Sequence, residues 1–165
     1  PPPPPPELHT SRLSSAASDV YKRQVSFSIY GERGVIDILA YHAASGSLLV
    51  IELKTEIVDV NELVGTLDRK ARLGPQIATD RGWDVRSVSR WVIVSRDKTN
   101  QRRIEAHRSM LRAAFPADGH AMRSWLARPT GRIAALSMWT HVAPIDASPT
   151  RSQRIRAPRG GQVIP

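Results

Sequence analysis

GERGVIDILAYHAASGSLLVIELK, residues 31 to 54, holds two apolar runs that each carry charge where a core residue is expected. Val35, Ile36, Ile38, Leu39 and Tyr41 surround Asp37, and Leu48, Leu49, Val50, Ile51 and Leu53 surround Glu52 and Lys54. Both runs predict buried strands. The link from His42 to Ser47 is short and contains the turn signal Ser45-Gly46, so the two strands read as a hairpin. A charge in an apolar sheet is costly unless it is paired, hydrogen-bonded or bound to a metal. Two carboxylates and an ammonium side by side suit a hard cation and an activated water.

Register decides whether these groups meet. In an antiparallel pair, opposed residues share a face, and a slip of one residue moves a whole strand to the other face. A four-residue loop from Ala43 to Gly46 pairs His42 with Ser47 and sets Asp37 opposite Glu52, with Cβ atoms about 4.5 to 5.5 Å apart. A two-residue turn at Ser45-Gly46 instead sets Asp37 opposite Lys54 and leaves Glu52 diagonal. A bulged three-residue loop separates the carboxylates onto opposite faces. One of the first two registers is expected, with both carboxylates facing away from the helix that follows and into an open cleft with Lys54. Glu52→Gln is expected to leave the fold intact or more stable, because it relieves repulsion between two close carboxylates.

The order Gly-x-x-x-Asp, then Val50-Ile51-Glu52-Leu53-Lys54 at the end of the next strand, resembles the PD-(D/E)xK nuclease superfamily. Asp37 matches its first carboxylate, Glu52 its second and Lys54 its lysine. The wider text (FSIYGERGVIDILA, VIELKTEIVDV, LDRKARL, GW, RWVIVS) resembles a bacterial group of such domains often joined to an N-terminal helix-turn-helix, over about residues 25 to 139. The resemblance implies an αβββαβ core, like that of restriction endonucleases. It also implies Mg²⁺ or Mn²⁺ held by Asp37, Glu52 and the backbone carbonyl of Leu53, with DNA as substrate and Lys54 as a catalytic group. A helix directly after the Glu-x-Lys strand often adds a further polar residue in this superfamily, and Lys70 and Asp68 are the candidates. The upstream helix glutamate that many members carry has no counterpart here, and Gln24 does not replace it.

Composition sets the bounds. The 165 residues suffice for one domain with tails. The absence of Cys excludes disulfides and thiolate metal sites. No apolar run approaches the roughly 20 residues of a membrane span, and no signal peptide is evident, so a cytoplasmic protein without membrane contact is expected. The excess of 24 basic over 15 acidic residues, a net charge of +9, suits a polyanionic partner. A GC-rich genome also favours arginine, and all the basic residues are arginine except Lys22, Lys54, Lys70 and Lys98.

Along the chain, residues 1 to 24 combine six prolines with a Ser-rich stretch whose end, SSAASDVYKRQ, resembles translated adaptor text. They are expected to be disordered and non-native, and the native N-terminus, with any helix-turn-helix domain, is then missing. The domain is expected over 25 to 140. Val25, Phe27 and Ile29 alternate with polar residues as a half-buried strand, and Gly31 and Gly34 frame the turn that follows. Asp59 and Glu62 form a capping-box pattern before a helix over 59 to 72, with Val60, Leu63, Val64, Leu67 and Ala71 inward and Asp68, Arg69, Lys70 and Arg72 on its other side.

Gly74-Pro75 and Arg81-Gly82 punctuate the next stretch, and Arg90 to Ser95 reads as a central strand beside the Glu52 strand. A helix from a Thr99 cap through Ala114 places Ile104, His107, Leu111 and Phe115 inward. It leaves Arg102, Arg103, Arg108 and Arg112 outside, where they can meet phosphates or simply be solvated. Asp118 caps a short helix with Met122, Trp125 and Leu126 buried, and Ile133 to Trp139 supplies the last strand. Residues 141 to 165 read as a basic disordered tail.

The expected fold is α/β, a mixed sheet of four or five strands flanked by helices on both faces. The leading expectation for function is divalent-metal-dependent hydrolysis of DNA by Asp37, Glu52, Lys54 and Lys70. The alternative is a catalytically inert nuclease-like module that binds DNA or protein within a helix-turn-helix regulator. A homodimer is compatible with either.

Overall fold

A computed structural model describes residues 20 to 140. Within them a five-stranded mixed sheet has the order β1-β2-β3-β4-β5, with helices on both faces, as the hydrophobic patterning predicts. The antiparallel half is a meander of β1 (Val20–Ile29), β2 (Glu32–His42) and β3 (Ser47–Lys54). Helix α1 (Val60–Thr79) then carries the chain to β4 (Ser87–Ser95), which runs parallel to β3. Helices α2 (Lys98–Ala106), α3 (Arg108–Ala114) and α4 (Gly119–Ala127) precede β5 (Ala134–Trp139), parallel to β4. This gives βββαβ from β1 to β4. No helix precedes β1 among the described residues, and the stretches 1 to 19 and 141 to 165, expected to be disordered, lie outside them. β1 begins at Val20, five residues before the expected boundary.

The core has two parts. On one face Leu39, Tyr41, Leu48, Val50, Val92 and Val94 pack under α1, with Leu111 of α3 and the following Phe115. On the other, Leu49, Ile51 and Ala135 pack under Met122 of α4. Tyr41 also stacks on Trp83, with ring centroids 5.2 Å apart, and donates its hydroxyl to the Asp84 carbonyl at 2.9 Å.

Five local expectations are corrected. Gly74-Pro75 does not end α1, which continues to Thr79. Without a Cβ, Gly74 lets the helix approach the sheet: a Cβ there would lie 3.1 Å from Leu48 Cδ2 and 3.5 Å from Val50 Cγ2. Pro75 forfeits one helical N–H, a loss that continued packing of Leu73, Ile77 and Ala78 offsets.

The expected 99–114 helix is two helices broken at His107, whose φ and ψ are −112° and 25°. The break turns His107 to solvent instead of inward, while Leu111 stays buried. The cap of α2 is Asp97 rather than Thr99, and its side chain accepts the Asn100 N–H at 2.8 Å. Leu126, expected inside, is exposed. The caps at Asp59 and Asp118 form as the sequence suggests, each accepting two backbone N–H groups of the first turn.

Candidate functional site

The β2–β3 ladder pairs His42 with Ser47 and runs to Ile38 opposite Ile51. This is the four-residue-loop register, and the ladder ends one step short of Asp37 and Glu52. The loop closes through Gly46 N–H to the Ala43 carbonyl at 3.3 Å, with Gly46 at φ +64°.

The strands do not continue as a regular ladder beyond Ile38. Ile36 belongs to the core under α1, Ile38 packs against the cluster under α4, and Leu39 returns to the α1 side. Asp37 therefore occupies the point where the alternation of β2 slips by one residue. Gln24, which lies between the pairs Arg23–Ile38 and Val25–Ile36 on β1, adopts φ +50°. At this break the Asp37 carboxylate replaces a ladder bond: Oδ2 accepts the Leu53 N–H at 2.8 Å. Its other oxygen has no hydrogen-bond partner among the described residues.

Glu52 is fixed by parity. Leu48 and Val50 pack under α1, so Glu52 and Lys54 point the same way. The carboxylate is buried, 4% exposed, and each oxygen meets an ammonium: Oε1 is 3.1 Å from Lys54 Nζ, and Oε2 accepts from Lys70 Nζ. The expectation that the carboxylates face away from the helix after β3 is therefore wrong for Glu52, which lies beneath that helix.

Lys70 was expected on the outer side of α1 and is buried in its inner stripe, in line with Val60, Leu63, Leu67, Gly74 and Ile77. A lysine in that stripe requires an acid across from it, and β3 supplies Glu52. Glu52→Gln, expected from the sequence to leave the fold intact or more stable, is for the same reason expected to lower stability. Neutralising Glu52 leaves the Lys70 ammonium buried without its counter-charge.

Glu52, Lys54 and Lys70 are thus brought together, and Asp37 is tied to the same strand end through the Leu53 N–H. Asp68 is not part of the cluster. It pairs with Arg90, whose guanidinium lies 5.8 Å from the Phe115 ring centroid. Burial lowers the pKa of Arg90 from its usual value.

The donor set suits a hard cation: two carboxylates from adjacent strands and a backbone carbonyl. The two lysines engage one site on each Glu52 oxygen, and a carboxylate offers about four lone-pair sites, so acceptor capacity remains. Among the described residues no group of three or more His, Cys, Asp or Glu side chains converges at metal-binding distance.

The arginines expected to meet phosphates divide. Arg102 and Arg112 are exposed, and Arg108 pairs with Glu105 at 3.3 Å. Arg103 is turned inward onto the segment after β3, bonding Glu56 at 2.9 Å and the Ile57 carbonyl. Sequence reasoning missed Asn100, fully buried beside it, which binds the same segment. The available signal was an Asn three residues after Asp97, at the start of a helix with few apolar residues to bury.

No helix among the described residues is long and apolar enough to cross a membrane. Comparison with protein-family models, with curated proteins and with solved structures found no match.

Proposed function

We propose that the chain is a PD-(D/E)xK-like nuclease domain that hydrolyses phosphodiester bonds in DNA with a divalent cation. One observation supports this reading: the Asp37 carboxylate accepts the N–H of Leu53, the residue between Glu52 and Lys54, which themselves pair at the end of β3. Asp37, Glu52 and the Leu53 carbonyl would hold Mg²⁺ or Mn²⁺. Such a cation, when bound, supplies an activated water and neutralises charge on the phosphate. Lys54, partly exposed beside Glu52, orients the attacking water by hydrogen bonding and places a fixed positive charge where the phosphate gains negative charge. Lys70, buried on the far oxygen of Glu52, holds that carboxylate in one rotamer and does not contact substrate. The net charge of +9 favours a polyanionic substrate.

A second reading is favoured by the pairing itself. Both Glu52 oxygens carry an ammonium, and no third acidic side chain joins Asp37 and Glu52 among the described residues. That balance also suits an inert module that binds DNA or protein within a helix-turn-helix regulator.

Nicking of supercoiled plasmid separates the two. Cleavage with Mg²⁺ or Mn²⁺, lost in EDTA and in Asp37→Asn, Glu52→Gln and Lys54→Ala, supports the nuclease reading. DNA or protein binding without cleavage, unchanged by these substitutions, supports the module. Equal metal-dependent cleavage by wild type and all three variants removes the site assignment.

A further inference from the structure

The last residues of β3 are held unevenly. Pairing with β2 stops at Ile51, so on that side Leu53 is held by the Asp37 carboxylate, while β4 holds the other side through Ile93 and Val94. Directly beyond Lys54 the chain leaves the sheet and must be fixed by other groups.

The first turn of α2 does this. Asn100 has no solvent exposure, and its side-chain carbonyl accepts the Ile57 N–H at 2.9 Å. Its amide donates to the Thr55 carbonyl at 2.9 Å and to the Ser95 carbonyl at 2.9 Å, which ties the exit of β3 to the exit of β4. Asp97 orients that amide at 2.7 Å while capping the helix through the Asn100 backbone. One turn further along, Arg103 donates to the Ile57 carbonyl and to Glu56. Two side chains of one helix thus occupy backbone groups of Thr55 and Ile57, within three residues of Lys54.

We propose that Asn100 and Arg103 are positioning residues that set the Leu53 carbonyl and the Lys54 ammonium from the C-terminal side of β3. The proposal rests on the nuclease reading for its catalytic meaning, and its structural part stands without it. Asn is suited to the role because one side chain presents an acceptor to an N–H and donors to two carbonyls. Asp keeps the acceptor, loses the donors and sets a second charge against Asp97. Arg103 reaches the Ile57 carbonyl and the Glu56 carboxylate from one guanidinium nitrogen, Nη1, and lysine restores the charge and a multiple donor on a shorter side chain.

The test uses the full chain with Asn100→Asp, Asn100→Ala, Arg103→Ala and Arg103→Lys, and Arg123→Ala as a surface control. Amide exchange at Leu53 to Ile57 and the Lys54 side-chain ammonium resonance are read under conditions where circular dichroism shows each variant folded. Plasmid nicking is then resolved into kcat and KM.

The expected result is faster exchange, a shifted Lys54 resonance and kcat lower by roughly ten- to a hundredfold at unchanged KM, as for a misplaced catalytic group. Arg103→Lys should recover part of the loss, and the control should change nothing. A loss confined to KM would assign Arg103 to the DNA backbone and overturn the proposal. Unchanged exchange and an unchanged Lys54 resonance would overturn it as well. If the wild type does not nick plasmid, the nuclease reading fails, and exchange with the Lys54 resonance still decides whether these residues position the end of β3.

Discussion

At the scale of single residues, Glu52 and Lys70 are linked most tightly. Both are buried, and removing the Glu52 charge leaves the Lys70 ammonium unmatched, at a cost of about 3–5 kcal/mol, whereas removing Lys70 leaves Glu52 its pairing with Lys54. Glu52→Gln is therefore expected to lower stability by that order in urea unfolding, and Lys70→Ala by less, since Lys54 remains on Glu52. Glu52→Leu combined with Lys70→Met should recover most of the loss, since apolar residues of similar size replace a buried pair at little cost, while cleavage stays absent. Non-additive unfolding free energies in this cycle would check the pair directly.

Asp118 provides the pH-dependent counterpart. The Ala121 N–H, with help from the His120 N–H and ring, holds this carboxyl below its ordinary value. The folded-state pKa is depressed, so the contribution of this cap to stability is complete above the ordinary carboxylate range and is lost as pH falls through the lowered value. Asp118→Asn should leave neutral-pH melting nearly unchanged and flatten its decline in acid. The charges at 37, 52 and 54 were legible in the sequence because they interrupt apolar runs. The burial of Lys70 was not, because it depends on a counter-charge from β3 that only the packing of α1 on the sheet supplies.

Among elements, the β2–β3 turn and α1 carry the strictest steric demands. Gly46 combines φ +64° with close approach: a Cβ would lie 2.7 Å from Arg86 Cγ and 2.9 Å from the Asp84 carbonyl oxygen. Its own carbonyl accepts the N–H groups of Arg86 and Ser87, so the turn also anchors the entry to β4. Gly46→Ala is expected to cost roughly 1–3 kcal/mol, from backbone strain together with that contact, measurable by chemical denaturation. Strand and cap positions were largely readable, since alternation and Asp caps are local signals. The continuation of α1 past Pro75 and the break at His107 were not. The first depends on Gly74 lying against Leu48 and Val50, the second on reorienting α3 over the sheet, and both are tertiary facts.

For the whole molecule, strand order followed from the sequence in part: a short loop makes β2–β3 antiparallel, and a helix between β3 and β4 makes them parallel. The direction in which Glu52 points needed the packing of α1. If DNA is the partner, binding should weaken steeply with salt, with log affinity falling by about 0.9 per phosphate neutralised for each unit of log salt. An affinity flat across that range would remove nucleic acid as partner. The ladder from Ile38–Ile51 to His42–Ser47 also acts as a ruler between two carboxylates that are 15 positions apart in sequence. An insertion–deletion scan should respond accordingly. One residue added between Ala44 and Ser45 lengthens the loop and leaves the ruler intact, so folding and activity should persist. One residue added or removed between Leu39 and Tyr41, or between Leu48 and Val50, shifts the parity of the ladder, so folding and activity should fall. Change in length is thus tolerated best in the loop, and within the two strands a single added or lost residue keeps Asp37 beside the end of β3 only where a second slip like the one at Asp37 absorbs it.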